Sequence, residues 1–135
     1  MWATGVAVLV LCTGALPAEG QARTYYPNCA AQLRYKPKSL VFFCADAGVI
    51  AKRVRWYKWG AREARGRSHY VYANTCVPDC ATGGRRRYRA RMVLKRARTC
   101  PDNGRRVFTR LALIFQGNAP PGLRKFTQRL QCRAL

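Results

Sequence analysis

Hydrophobic and polar residues alternate along several short segments, which is the pattern of β-strands that bury one face. The clearest segment is RRRYRARMVLKR at 85–96, where the two sets of alternate positions differ in kind. One set is predicted to face the core: Tyr88, Ala90, Met92 and Leu94. The other set is cationic and is predicted to face solvent: Arg87, Arg89, Arg91 and Lys95. RRVFTRLALIFQG at 105–117 repeats the pattern, with these positions predicted to face inward: Val107, Thr109, Leu111, Leu113 and Phe115.

Three further segments are rich in β-branched and aromatic residues, which favours strands. They are SLVFFC at 39–44, VIAKRVRWYKW at 49–59 and SHYVYANT at 68–75. In the second segment, Ile50, Val54 and Trp56 share one parity and are predicted to face the core. Trp59 breaks the alternation, which predicts a bulge or the end of the strand.

Two basic segments lack this alternation. AREARGR at 61–67 is enclosed by glycines, and we expect a loop there. LRKFTQRLQCR at 123–133 would place its apolar residues on one face of a helix, which predicts a short basic helix.

At least five strands with short connections, and no crossover helix, predict one antiparallel all-β domain. It is a small β-sandwich of the immunoglobulin-like kind or a small barrel, stapled by disulfides. We divide the chain into a signal peptide, an extended lead-in, the β domain and a basic C-terminal segment: 1–22, 23–38, 39–122 and 123–135.

The N-terminal segment has the features of a signal peptide. Residues 5–18 are apolar and uncharged, and Gly20 and Ala22 are small residues at the positions that signal peptidase reads. The apolar run is shorter than the roughly 20 residues that span a bilayer. We therefore predict secretion, with cleavage after Ala22. Lipidation at Cys12 is an alternative, although Leu11 is bulkier than a lipoprotein signal requires.

Six cysteines follow the signal peptide, and an even number in a short exported chain predicts a disulfide framework. They are Cys29, Cys44, Cys76, Cys80, Cys100 and Cys132. Many pairings are open to six cysteines, and we expect Cys29–Cys132 to join the two ends of the domain. Zinc at Cys76 and Cys80 is the alternative, but a second close pair of ligands is missing.

Four motifs occur in order between residues 37 and 122: PKSLVFFCADAG, RVRWYKWGAREARG, NTCVPDCATG and RTCPDNGRRVFTRLALIFQGNAPPG. Together they resemble a family of small secreted proteins from actinobacteria, with the pattern Cys-Ala-Asp, Trp-x-x-Trp-Gly, Asn-x-Cys-x-Pro-x-Cys-Ala-x-Gly, Phe-Thr-Arg-Leu and Pro-Pro-Gly. The resemblance implies export and brings no catalytic residues to carry over. This chain departs from the pattern in its more basic loops and in Cys29 and Cys132, which flank the shared region.

An enzyme is not predicted. General acid–base catalysis usually needs two titratable groups at one site. The residues after the signal peptide offer four carboxylates and the single His69, and two of the carboxylates, Asp46 and Asp79, lie beside cysteines in turns. Nucleophile elbows, phosphate loops and paired-His motifs are missing from the sequence. We predict no catalytic residue, no metal and no cofactor.

The chain carries 26 Lys and Arg against 5 Asp and Glu, a formal net charge of +21. Such an excess attracts polyanions. Alternate residues on a strand repeat every 6.6–7 Å or so, which is comparable to the phosphate spacing of an extended polymer. The cations of the 85–96 strand would therefore form a row that matches a phosphate-linked chain.

We therefore predict a secreted, monomeric, cationic binding protein for anionic polymers, with teichoic acid, acidic glycans or lipid head groups as partners. Its predicted contact residues are Arg87, Arg89, Arg91, Lys95, Arg62, Arg65, Arg67 and Trp59. Trp56 is predicted to belong to the core, and Trp59 is open between the core and a stacking platform. The alternatives are a membrane-active antimicrobial effector that uses the 123–133 segment, and a nucleic-acid binder without sequence specificity.

Overall fold

The computed structural model describes residues 23–45 and 48–132, together with Gly14. The rest of the predicted signal peptide lies outside the described residues. The described residues form a single sheet of nine strands: β1 (Thr24–Pro27), β2 (Leu33–Arg34), β3 (Leu40–Phe42), β4 (Val49–Lys52), β5 (Arg55–Trp59), β6 (Ala64–Asn74), β7 (Arg85–Thr99), β8 (Arg106–Gln116) and β9 (Lys125–Arg129). Within these ranges, no helix is long and apolar enough to cross a membrane.

Three long antiparallel strands form the centre of the sheet, with β7 between β6 and β8. The other edge of β6 carries β4 and β5 one after the other, and β3 pairs with β4. The other edge of β8 carries β9 and β1, and the lead-in therefore belongs to the sheet; β1 runs parallel to β8. The sheet is open and curled into a half-barrel, which confirms the all-β, disulfide-stapled fold.

The core lies on one face of this sheet, and the alternation of β7 and β8 accounts for most of it. Every residue predicted to face inward in these two strands is buried except Thr109, which is partly exposed. The register pairs Met92 with Leu113, so large side chains from both strands pack side by side. Phe108, which strict alternation would place on the opposite face, is also fully buried in this core, where the ring of Trp59 packs edge-on against it at 5.5 Å.

The segment predicted as one strand at 49–59 is two strands. Arg53, between β4 and β5, has a φ of 51°, in the left-handed region that interrupts a strand. The alternation therefore does not run through it. Val49 and Ala51 are buried, whereas Ile50, which was predicted to face the core, is only partly buried.

The predicted loop at 61–67 is wrong, because β6 already begins at Ala64. Gly66 lies inside the strand, where a Cβ would sit 2.7 Å from Cε3 of the Trp56 ring. Real Cβ atoms do not approach a neighbour so closely. This glycine therefore permits close packing against a tryptophan and does not mark a turn.

The predicted helix at 123–133 is also wrong, because β9 pairs there with β8. Phe126 packs against Phe42 and Phe43, with ring centroids 5.4 and 4.8 Å apart. Pairing with β8 satisfies a row of backbone groups at a sheet edge, whereas a helix of this length is marginal in water.

Three disulfides join Cys29 to Cys44, Cys76 to Cys80 and Cys100 to Cys132. The expected Cys29–Cys132 bond is therefore wrong. The reason is topological: β1 and β2 lie at one end of the strand order, and their connection meets the end of β3 as the sheet curls round. Three disulfides are consistent with an extracellular protein.

Candidate anion-binding surface

The sheet face opposite the core carries the predicted cationic row. Its members are all exposed: Arg87, Arg89, Arg91 and Lys95. Arg87 and Arg53 both lie over the ring of Tyr70, with Cζ 5.4 and 4.6 Å from its centroid. Each such contact stabilises an exposed pair by about 0.5–1 kcal/mol. Tyr70 therefore holds one end of the row.

A second feature of this face is an alignment of arginines across three strands. Arg91 on β7 lies directly opposite Arg67 on β6, and Arg67 lies directly opposite Arg55 on β5. All three side chains are exposed. Directly opposite residues have Cβ atoms about 4.5–5.5 Å apart, and like charges at that spacing destabilise a sheet. We call these three residues the arginine line.

Lys95 begins a similar alignment towards the other edge of the sheet. It lies opposite Arg110 on β8, which lies opposite Arg129 on β9. Arg87, Arg89 and Arg91 are spaced along β7 by two residues, about 6.6–7 Å, and cations on neighbouring strands lie about 4.8 Å apart. The result is a grid of positive charge and not a single row.

Among the described residues, acidic groups do little to neutralise this grid. The described residues include three carboxylates, Glu63, Asp79 and Asp102. Within the described ranges, the ion pairs are confined to Glu63, which contacts Arg65 and, at 3.8 Å, Lys58. The Arg65 guanidinium donates a hydrogen bond to Glu63 and lowers the pKa of that carboxyl group. Arg65 is thereby engaged within the protein.

Asp79 is engaged by its own turn. Its carboxylate accepts hydrogen bonds from the backbone N–H and hydroxyl of Thr82, at 2.8 and 2.9 Å, and from the N–H of Ala81 at 2.9 Å. The bonds from Thr82 contribute most to lowering the pKa of Asp79. The carboxylate caps a turn, as its position beside Cys80 predicts.

The structure separates Trp59 from the arginines with which it was grouped. Trp59 pairs with Ala64 and Trp56 with Gly66, positions of β6 that are buried on the core side. The indole N–H of Trp59 donates to the carbonyl of Thr24 at 3.0 Å. Trp56, which was predicted to belong to the core, is partly buried and packs against it, and the two indoles meet edge-on at 4.8 Å. Trp59 therefore supports the sheet from below the cationic face.

The remaining predicted contact residues divide between two places. Arg67 belongs to the arginine line, whereas Arg62 is exposed in the turn between β5 and β6, at one end of the sheet. Sequence reasoning missed three members of the grid: Arg55, Arg110 and Arg129. Arg55 and Arg110 occupy polar positions of alternating segments, so the alternation carried a signal. Arg129 was missed because its segment was predicted to be a helix.

Chemically, this surface offers guanidinium and ammonium donors and little else. His69 is exposed on β6 beside Arg89, and both line a shallow pocket with Gln116. Among the described residues, no group of three or more His, Cys, Asp or Glu side chains could hold a metal ion.

Comparisons with models of protein families, with curated proteins and with solved structures returned no match. The resemblance to small secreted actinobacterial proteins stays a prediction.

Proposed function

We propose that this protein is exported and binds anionic polymers of the cell envelope or extracellular space through its cationic sheet face, without catalysis. The observation that carries the proposal is the arginine line, Arg55, Arg67 and Arg91 in direct register. The apolar N-terminal segment and the three disulfides support export.

Like charges aligned across neighbouring strands destabilise the sheet. The Debye length at physiological salt is about 8 Å, which exceeds the cross-strand spacing, so salt screens the repulsion only partly. Each like pair opposes sheet formation by an amount on the order of 0.2–1 kcal/mol. A bound polyanion removes this repulsion and gains charge-assisted hydrogen bonds to guanidinium groups.

The spacing of the cations favours a polymer with regularly repeated phosphates, such as teichoic acid, over an isolated anion. A chain of phosphates lying along β7 meets Arg87, Arg89 and Arg91 in turn, and the aligned arginines of β5 and β6 widen the contact. Acidic glycans and lipid head groups offer the same charge with a different repeat. Nucleic acid would bind through its phosphates without reading sequence.

The test compares two triple variants of equal net charge in the oxidised protein. Arg55→Gln/Arg67→Gln/Arg91→Gln removes the arginine line, and Arg34→Gln/Lys38→Gln/Arg105→Gln removes three exposed cations elsewhere. Affinity for purified teichoic acid, single-stranded DNA and a neutral glycan is measured between about 50 and 300 mM salt. Losing three phosphate contacts should lower the salt slope by about 2–3, and only in the first variant. Equal losses in both variants would show that net charge alone drives binding.

A further inference from the structure

A pocket of about 560 Å³ lies where β7, β8 and β9 approach the Cys100–Cys132 disulfide. Four arginines line it: Arg96, Arg98, Arg110 and Arg129. Its volume falls within the range of about 300–1,000 Å³ that is typical of small-ligand sites. Among the described residues, its lining contains no carboxylate.

The four arginines reach the pocket from three strands. Arg96 and Arg98 share the parity of buried Leu94, so the alternation would place both on the core side, yet both are exposed. Arg96 has a φ of 53°, in the left-handed region, which interrupts the alternation at this point. Non-glycine residues held there are strained and cluster at functional sites.

The backbone around the pocket is held in place by specific bonds. The hydroxyl of Thr109 donates to the carbonyl of Arg96 at 2.6 Å, and the N–H of Leu130 donates to the carbonyl of Thr109 at 3.0 Å. The Cys100–Cys132 disulfide fixes the chain after β9. The arginines therefore project from an ordered backbone, and binding a ligand there costs less conformational entropy than binding it with a flexible loop.

The guanidinium groups of these four arginines have no partner among the described residues. Across the described part of the chain, none of the four forms an ion pair or donates a side-chain hydrogen bond. Each guanidinium presents a planar fork of N–H donors that matches the oxygens of phosphate and sulfate in pairs. A carboxylate has two oxygens and engages fewer of these forks than a tetrahedral group with three free oxygens.

We infer that this pocket is a discrete site for one phosphate or sulfate monoester group, with space for part of the sugar or polyol that carries it. The inference rests on the proposed function in one respect, because it names a terminal or side-group ester as the part of the polymer that is recognised. It does not depend on the arginine line, which contributes no residue to the pocket.

The test uses glycerol phosphate, glycerol sulfate and acetate as probes, titrated into the oxidised protein at constant ionic strength by calorimetry and NMR. One equivalent of glycerol phosphate or glycerol sulfate should bind saturably, at least about tenfold more tightly than acetate. Phosphate loses its second charge near pH 6 or so, so acidification should weaken glycerol phosphate and leave glycerol sulfate unchanged. Acetate binding as tightly as both esters would overturn the inference.

Variants separate the pocket from the arginine line. Arg98→Gln/Arg129→Gln should weaken ester binding by at least about tenfold, whereas Arg55→Gln/Arg67→Gln, with the same loss of charge, should change it by less than about twofold. Both variants alter exposed side chains and leave the bonds to Arg96 and Thr109 in place, and near-UV circular dichroism confirms folding. Equal weakening in the two variants would overturn the pocket. Loss of teichoic acid binding with retained ester binding in the second variant would confirm that the two surfaces are separate.

Discussion

The contact between Gly66 and Trp56 links the core to the cationic face and allows a quantitative test. A Cβ at position 66 would lie 2.7 Å from Cε3 and 3.1 Å from Cδ2 of Trp56, and 3.1 Å from the backbone carbonyl oxygen of Arg55. The substitution Gly66→Ala therefore forces β5 away from β6. Because the Trp56 indole N–H also donates to the Pro37 carbonyl at 2.7 Å, the ring cannot move without losing that bond.

The magnitude follows from two opposing effects. Overpacking of a tight core site costs about 1–3 kcal/mol. Replacing glycine by alanine also restricts the unfolded chain, which stabilises the protein by about 0.4–1 kcal/mol. We expect Gly66→Ala to lower the free energy of unfolding by about 1–2 kcal/mol net. It should also weaken polymer binding, because the strand that moves carries Arg55.

Gly84 supplies the matched control. A Cβ there meets no atom within 4 Å, so Gly84→Ala retains the effect on the unfolded chain without the overpacking. The difference between the two variants in urea denaturation of the oxidised protein should therefore be about 1–3 kcal/mol. If Gly66→Ala is as stable as Gly84→Ala, then Trp56 does not pack against β6 as described.

Three further outcomes are expected. The pKa of Asp79 is lowered in the folded protein, so the charged carboxylate stabilises the fold above the ordinary Asp pKa of about 3.9, and this stability is lost as the pH falls. The free energies of unfolding of the native protein and of Asp79→Asn, plotted against pH, should therefore converge in acid, and parallel curves would contradict this. Burial raises the pKa of Tyr26 to about 12. Its phenol ionises at lower pH in the unfolded chain than in the folded protein, so the free energy of unfolding should fall between about pH 10 and 12. Tyr26→Phe should remove that decline in alkaline denaturation. Replacing Cys100 and Cys132 with alanine opens a closed loop with a sequence separation of 32 residues and should cost about 2–5 kcal/mol in urea denaturation, whereas an unchanged midpoint would exclude a structural role for that disulfide.

The sequence pattern predicts this fold well where a strand has one buried face and one solvent-exposed face. The alternation through β7 predicts both its core residues and its cationic row, because successive side chains of a strand point to opposite faces of the sheet. It fails at Arg53, where left-handed backbone separates β4 from β5, and at Arg96, where left-handed backbone shifts the alternation within β7. Nothing in the local sequence distinguishes these arginines from their neighbours.

Other features depend on contacts between distant segments and could not be predicted locally. Gly66 is indistinguishable from a loop glycine until Trp56 is placed beside it, and β9 forms a strand because an edge of β8 is open to it. The arginine line requires the registers of β5, β6 and β7 together. Composition predicts the excess of charge, but only the pairing of strands aligns it.

The most direct test of the account is a charge reversal in the middle of the arginine line, Arg67→Glu, measured for stability and for teichoic acid affinity at about 150 mM salt. Two repulsive cross-strand pairs then become attractive, so the free energy of unfolding should rise by about 0.5–2 kcal/mol, while affinity falls more than in Arg62→Glu, which has the same net charge. An increase in stability together with a loss of binding would show that the alignment is maintained for a ligand and not for the fold. A loss of stability, or affinity equal to that of Arg62→Glu, would contradict the central claim.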